Sequence, residues 1–280
     1  MSTQPNILAT ILERKRAEVA ERKQLFPTAL LERSEYFQTP AVSLARYIRR
    51  ADKQGIIAEF KRKSPSKGQI NRYASVDRVS VGYMQAGASA LSILTDTDFF
   101  GGSLNDLKAA RRYNYCPILR KDFIIDEYQI IEARSHGADA ILLIAGALSP
   151  EQTKTLAHKA HELQMEVLLE VHSAQEIDTH FNDAIQLVGV NNRDLTTFET
   201  SLDVAHALIP HIPQNVTAIA ESGLRTPHDV LALRQAGYHG FLIGETFMRH
   251  VRPEVQCKEF IQELLQLSDS HNSDHVAQAA

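Results

Sequence analysis

The sequence predicts an α/β fold in which eight parallel strands alternate with helices and close into a (β/α)8 barrel, preceded by an N-terminal helical extension. The 280-residue chain is close to the ~250 residues that such a barrel commonly uses as one domain. Eight short apolar runs recur from residue 56 onward, each followed by a segment typical of a helix. The main alternative, an open doubly wound sheet, normally has a glycine-rich turn after its first strand. The corresponding turn, KRKSPSKG, contains a single glycine.

Residues 1–55 precede the repeat and are predicted to form the extension. Apolar residues within it are spaced for one face of a helix. They are Ile7, Leu8, Ile11, Leu12 and Val19. We expect this helix to cover one end of the barrel, with a contact between subunits as the alternative.

The apolar runs define the predicted strands. They span 56–60, 90–94, 117–121, 140–145, 166–171, 187–191, 216–220 and 240–244. Their centres lie roughly 20 to 35 residues apart, enough for a strand, a crossover helix and two loops. Because each face of an apolar parallel strand has to be buried, helices should surround the sheet. We therefore expect the barrel to span 56–267, followed by a polar, flexible tail at 268–280.

Composition excludes several classes of protein. The net charge of -4 gives no general attraction to nucleic acid. The longest apolar stretch, 140–148, is far shorter than the ~20 residues of a membrane-spanning helix. Charges interrupt the N-terminal apolar segment, so it does not resemble a secretory signal and a cytoplasmic location is expected. The two cysteines form no CxxC pair, which argues against a thiolate metal site.

Charged and amide side chains stand where five of the predicted strands end. They are Glu59, Lys61, Lys121, Glu170, Asn191 and Glu221. The carboxyl ends of the strands form the active site in barrels of this class. Because side chains alternate along a strand, Lys121, Glu170 and Glu221 should share the inward face with apolar residues two positions earlier. A single charge after a strand is more often a solvated loop residue, but six together predict acid-base chemistry at the barrel mouth.

The loops after the last two strands predict a phosphate site. Ser222 and Gly223 come shortly before Thr226 and Pro227, a plausible cap and first residue of a helix whose N–H groups are free. A second glycine, at position 244, and Glu245 repeat this arrangement after the last strand. Barrels often hold phosphate at these two loops. The alternative is that the glycines only permit tight turns.

The strand ends also carry seven distinctive segments. They are AEFKRKSPSKG (58–68), ALSILTDTDFFGGS (90–103), RKDFIIDEYQI (120–130), LLEVH (168–172), GVNNRDLTTF (189–198), AESGL (220–224) and FLIGETFM (241–248). In order and spacing they resemble the indole-3-glycerol phosphate synthase family, over a span from about Ile7 to about Leu265. The departures, among them Val190 and Leu224, touch no proposed catalytic position.

The resemblance implies a TIM barrel with a single activity in tryptophan biosynthesis. This family converts 1-(2-carboxyphenylamino)-1-deoxyribulose 5-phosphate to indole-3-glycerol phosphate, carbon dioxide and water. The resemblance implies neither cofactor nor metal, and the only expected partner is the small phosphorylated substrate. A monomer or a homodimer is expected.

The resemblance also implies roles for the polar residues. Lys121 is expected to be the general acid of ring closure, and Glu170 to take part in proton transfer during dehydration. Glu59 and Asn191 should orient Lys121 and the substrate hydroxyls, and Glu221 should complete the polar ring. The sharing of proton steps among Lys121, Lys61 and Glu170 stays open.

Substrate-binding residues follow from the same resemblance. Lys61 is expected to reach the substrate carboxylate or phosphate, and backbone N–H groups of Gly223, Gly244 and Glu245 should bind phosphate. Further residues are expected beside the substrate, five of them around its aromatic ring. They are Ser64, Arg193 and Ser222, and, around the ring, Phe100, Phe123, Leu142, Phe198 and Leu242.

Two other functions are compatible with such a barrel. A Schiff-base aldolase also uses a lysine and a phosphate site, but its lysine has to be neutral to attack a carbonyl. A sugar-phosphate sensor would need fewer acid-base groups than this mouth contains. Lys121 and its surroundings therefore separate the alternatives.

Overall fold

The described strands form a closed barrel and a small hairpin. The computed structural model describes residues 7–194 and 197–278, with side chains through 270. The strands are β1 (Ile56–Phe60), β2 (Lys63–Ser64), β3 (Gly68–Gln69), β4 (Ala90–Leu94), β5 (Ile118–Lys121), β6 (Ala140–Ile144), β7 (Glu166–Val171), β8 (Leu187–Asn191), β9 (Thr217–Glu221) and β10 (Gly240–Ile243). The barrel closes in the order β1-β10-β9-β8-β7-β6-β5-β4, and all of its pairs are parallel. The predicted barrel is confirmed, and its strands begin and end within one residue of the predicted bounds.

Helices alternate with the barrel strands. They are α1 (Ile7–Leu25), α2 (Thr28–Leu31), α3 (Leu44–Ile48), α4 (Val76–Gln85), α5 (Leu104–Tyr113), α6 (Glu127–Ser135), α7 (Pro150–Glu162), α8 (Ala174–His180), α9 (Asp203–Leu208), α10 (Pro227–Ala236), α11 (Glu245–Met248) and α12 (Pro253–Gln278), with 3-10 turns at Ala145–Ala147 and Ile209–His211. Among the described residues, none of these helices has the length and apolar character needed to cross a membrane.

Helix α10 shows how the sequence sets a helix start beside the barrel mouth. Thr226 caps it by accepting a hydrogen bond from the Asp229 N–H, and the Asp229 carboxylate accepts from the Thr226 N–H. Pro227 is the first helical residue, where its missing N–H costs nothing. The predicted cap is confirmed, and it fixes the loop that leads from β9 into α10.

Side-chain alternation divides the barrel residues into an interior and an exterior layer. Leu119, Leu168 and Ile219 lie in one apolar cluster inside the barrel, whereas Phe60 belongs to the layer between strands and helices. The inward face predicted for Lys121, Glu170 and Glu221 follows from this alternation. Leu44 and Ile48 of α3 belong to the interior cluster, so α3 closes the amino-terminal end of the barrel.

The two termini extend beyond the barrel. Ile11, Leu12 and Val19 of α1 are buried, as the predicted apolar face requires. Helix α12 continues to Gln278 and crosses the expected boundary at residue 267, so the flexibility expected for 268–280 stays a prediction. Residues 1–6, 195–196 and 279–280 of the predicted segments lie outside the described residues.

Candidate active site

A single cavity at the carboxyl ends of the strands gathers all of the residues predicted from the sequence. It has a volume of about 430 Å³. Its polar lining comprises Glu59, Lys61, Ser64, Lys121, Glu170, Asn191, Arg193, Glu221, Ser222, Gly223, Gly244 and Glu245, and its apolar lining includes Phe100, Phe123, Leu142, Phe198 and Leu242. Residues from strands far apart in the chain therefore share one space.

Lys121, at the end of β5, is held between two carboxylates. Its Nζ lies 2.7 Å from Glu170 Oε2 and 2.7 Å from Glu221 Oε2. Burial opposes the positive charge, but Glu170, Glu221 and then Glu59 outweigh it and raise the pKa of Lys121 above its usual value. Lys121 is thus an ammonium at working pH and carries a proton to donate.

The two carboxylates beside Lys121 differ in their environment. Glu170 also accepts a hydrogen bond from Asn191 Nδ2 at 2.9 Å. Burial opposes its ionisation, but Lys121 and then His172 outweigh it, and its pKa lies below its usual value. For Glu221, burial opposes ionisation more strongly than the charge of Lys121 favours it. Burial and the negative charge of Glu170 together raise the pKa of Glu221 to about 7. One member of the pair is ionised, and the other changes its protonation state near neutral pH.

Glu59 and Lys61 form a second charged pair on β1 and the loop after it. Lys61 Nζ lies 2.5 Å from Glu59 Oε1, so the direct contact of Glu59 is with Lys61, and that of Asn191 is with Glu170. The expectation that both orient Lys121 and the substrate hydroxyls stays a prediction. A Cβ at Gly244 would lie 2.3 Å from Glu59 Oε1. Any side chain at position 244 would therefore clash with the Glu59 carboxylate, so this arrangement requires a glycine there.

The predicted phosphate loops meet at one side of the cavity. Ser222 and Gly223 both have positive φ, 65° and 80°. In α11 the N–H groups of Phe247 and Met248 donate to the Gly244 carbonyl, whereas those of Glu245 and Thr246 have no acceptor within the helix. The Glu245 carboxylate lies 3.5 Å from Arg193 Nη2 and 3.6 Å from Lys67 Nζ. Backbone donors and two cations thus stand together at this side.

The rest of the cavity lining, its apolar side, consists of apolar side chains from several strands and loops. The rings of Phe100 and Phe123 are 5.9 Å apart and tilted by 41°, and Leu142 and Leu242 also line the cavity. Phe198 lies on the β8 loop, where Arg193 Nη1 donates to its carbonyl oxygen at 3.1 Å. This side suits an aromatic ring, whereas the other suits an anion.

Several lining residues were not predicted. Ile7, Leu8 and Ile11 of α1 line the cavity, as do Lys67 and Asp122. The apolar periodicity of α1 was visible, but it carried no information on which end of the barrel the helix would cover. Lys67 lies in the hairpin turn between β2 and β3, and two-residue strands leave no periodic signal in a sequence.

Chemically, the cavity combines a proton donor, carboxylates in two protonation states, an anion-binding side and an apolar side. A substrate with an aromatic ring at one end and a phosphate at the other would place its middle beside Lys121. Proton transfer to and from that middle is the chemistry that the arrangement can perform.

Comparisons with known proteins agree with this geometry. A model of the indole-3-glycerol phosphate synthase family matches residues 8–264. The indole-3-glycerol phosphate synthase of Bacteroides thetaiotaomicron is 47% identical over 257 residues, covering 92% of this chain and 98% of that protein. That of Bordetella pertussis is 42% identical over 259 residues, covering 91% and 99%. A solved chain of the Pyrococcus furiosus tryptophan synthase complex shares the fold alone, with a TM-score of 0.57, 14% identity and coverage of 77% and 99%.

Proposed function

The chain belongs to the indole-3-glycerol phosphate synthase family, and on that premise we propose how its residues divide the reaction. The enzyme is a carboxy-lyase of tryptophan biosynthesis that forms indole-3-glycerol phosphate from 1-(2-carboxyphenylamino)-1-deoxyribulose 5-phosphate. The observation that supports the division of roles is the Lys121 ammonium, hydrogen-bonded to Glu170 and Glu221.

Lys121 is the general acid of ring closure. The aromatic carbon that carries the carboxylate attacks the ketone carbon, and Lys121 Nζ donates a proton to the ketone oxygen as the new bond forms. Loss of carbon dioxide then returns the electron pair to the ring and restores its aromaticity. The negative charge of Glu170 and the Glu221 oxygen that accepts a hydrogen bond from Nζ stabilise the ammonium before the transfer.

Glu170 and Glu221 serve the dehydration that follows. The departing hydroxyl needs a proton, and the intermediate has to lose one elsewhere, so an acid and a base are required. Glu221, with a pKa raised to about 7, holds a proton at or below neutral pH and acts as the acid. Glu170 stays ionised and acts as the base, oriented by Asn191.

The remaining cavity residues bind the two ends of the substrate. The backbone N–H groups of Gly223, Gly244 and Glu245 bind the phosphate, with Ser222 beside them. Lys61 and Arg193 are within the same cavity and neutralise the phosphate or the carboxylate, with Ser64 nearby. The apolar side binds the aromatic ring against Phe100 and Phe123, with Leu142, Phe198 and Leu242 around it.

A turnover assay with matched substrates tests this assignment. Indole-3-glycerol phosphate should appear from the phosphorylated substrate, and inorganic phosphate should compete with it. The dephosphorylated substrate should react with a much higher KM, and inorganic phosphate should not compete with it, because the two occupy different parts of the cavity. Absence of turnover would reject the function, whereas equal competition against both substrates would reject only the phosphate site.

The cellular location and the oligomeric state belong to the same proposal. We expect a cytoplasmic enzyme. We also expect it to be active as a monomer or a homodimer, since the residues of this one chain line the cavity. Light scattering at the concentrations used for turnover measures the oligomeric state. A specific activity that rises with protein concentration would contradict a self-sufficient cavity.

A further inference from the structure

Lys15 of α1 is a buried cation to which the proposed reaction assigns no role. Its side chain is 1% exposed, and its Nζ lies 2.9 Å from Asp96 Oδ2, 2.9 Å from Asp122 Oδ1 and 2.8 Å from Glu18 Oε2. Burial opposes its charge, but Asp122, Asp96 and Glu18 outweigh burial and raise the pKa of Lys15 above its usual value. Buried ion pairs add little net stability relative to apolar packing. The role of Lys15 is therefore better judged from the other hydrogen bonds that Asp96 and Asp122 make.

Each aspartate holds the backbone of an aromatic residue in the cavity wall. Asp96 Oδ1 accepts hydrogen bonds from the N–H groups of Phe99 at 2.8 Å and Phe100 at 3.2 Å. Asp122 Oδ1 accepts from the N–H of Phe123 at 2.8 Å. Phe100 and Phe123 form the ring pair of the apolar side. The Lys15 ammonium is therefore connected to the backbone of both residues, through Asp96 and Asp122.

Asp122 also connects Lys15 to the proton donor. It follows Lys121 directly in the chain, and its second oxygen accepts from Arg120 Nη2 at 3.0 Å and Thr95 Oγ1 at 2.5 Å. The end of β5 is thus held on one face by Asp122 and on the other by the contact of Lys121 with Glu170. A shift of Asp122 would move the backbone that carries Lys121.

We infer that Lys15 is a positioning residue of the active site, which sets the spacing of Phe100 and Phe123 and, through Asp122, the position of Lys121. The inference rests on the proposed function, because it assigns the apolar side to the aromatic ring of the substrate. Helix α1 then contributes to substrate binding as well as lining the cavity. Lys15 itself touches no reacting atom.

Substitution Lys15→Met tests the inference by a split between KM and kcat. We expect KM to rise about tenfold, the equivalent of 1.4 kcal/mol, with a smaller fall in kcat and an unchanged pH profile. A purely structural role would reduce the active fraction, which lowers the apparent kcat and leaves KM unchanged. A folded variant whose KM stays within about twofold of the parent would overturn the inference.

Lys23→Met is the matched control on the same helix. Lys23 Nζ lies 2.7 Å from Asp126, but its side chain is 47% exposed, so the kinetic constants should equal those of the parent. Lys15→Arg keeps the charge and should recover part of the lost affinity. A KM for Lys15→Arg equal to that of Lys15→Met would contradict a role for the charge.

Two further measurements keep the test decisive. If Lys15→Met fails to fold, the second substitution Asp96→Asn removes one buried carboxylate that has lost its cation. The amide still offers an oxygen to the Phe100 N–H. This double variant should fold and show the raised KM, and a parental KM would overturn the inference. Anthranilate binding by calorimetry compares the parent with the variants without turnover, so a failure of the proposed function is distinguished from a failure of the role of Lys15.

Discussion

The carboxylate oxygens at the two ends of the barrel differ in whether they have hydrogen-bond partners. At the amino-terminal end, Leu44 and Ile48 are buried, and the Glu166 oxygens accept from Ser43 Oγ at 2.5 Å and the Ala45 N–H at 2.9 Å. At the carboxyl-terminal end, Glu221 Oε1 is buried without a hydrogen-bond partner among the described residues. Paired groups favour a fixed structure, whereas the unpaired oxygen raises the free energy of the charged form and keeps Glu221 ready to take a proton.

This contrast predicts that substitutions at the two ends affect different measurements. The carboxyl-terminal end should control turnover and should affect stability only through the protonation of its buried carboxylates. The amino-terminal end should control folding with little change in the chemistry of the molecules that fold.

Glu170→Gln should have the largest effect. We expect kcat to fall by roughly 10² to 10⁴, the contribution of acid-base catalysis, because the amide cannot accept a proton. Folding and substrate binding should persist, since the amide retains a hydrogen-bond acceptor for Lys121. Steady-state kinetics beside calorimetric binding checks both statements, with the exposed Glu162→Gln as control. Near-parental turnover would remove Glu170 from the reaction.

Leu44→Ala should act on stability alone. Removing a fully buried side chain from the barrel interior costs about 2 to 5 kcal/mol. Urea unfolding measures the loss, and the kinetic constants per folded molecule should equal those of the parent. Leu30→Ala, at a side chain that is 54% exposed, is the control with a small expected loss. A large change in KM for Leu44→Ala would show that the ends are coupled.

Glu221→Gln should change the pH dependence of stability. The folded pKa of Glu221 is raised from 4.5 to about 7, so between these values the folded state binds more protons than the unfolded state. Stability contributed by this group is therefore present below pH 4.5 and lost as the pH rises through 7. Unfolding free energies of the variant should fall less steeply over that window. Parallel curves for variant and parent would contradict the raised pKa.

The difference between the ends also explains how much the sequence predicts. Strand bounds and the inward faces of Lys121, Glu170 and Glu221 follow from period-two alternation and the polar residue that ends each apolar run. These signals are local, and they bring the predicted residues into one cavity. Resemblance to a family was needed to identify Phe100 and Phe123 as binding residues, because apolar patterns are the same for core and ligand contacts.

Contacts between distant segments could not be predicted. The hydrogen bond between Asn191 and Glu170 depends on the pairing of β7 with β8, which alternation along one strand does not supply. Lys15 is a surface-type residue in an amphipathic pattern, and its burial depends on Asp96 and Asp122, roughly 80 and 110 residues further along the chain. Its role is visible only once the fold places Lys15 beside Asp96 and Asp122.

The protonation state of Lys121 is the feature on which the proposed reaction depends, and borohydride trapping tests it most directly. An ammonium surrounded by Glu170, Glu221 and Glu59 cannot attack the ketone carbon, so no imine forms. Borohydride added during turnover should leave the mass of the peptide containing Lys121 unchanged and the enzyme active. A stoichiometric reduced substrate adduct on Lys121 would contradict the general-acid role and show a covalent, aldolase-like mechanism.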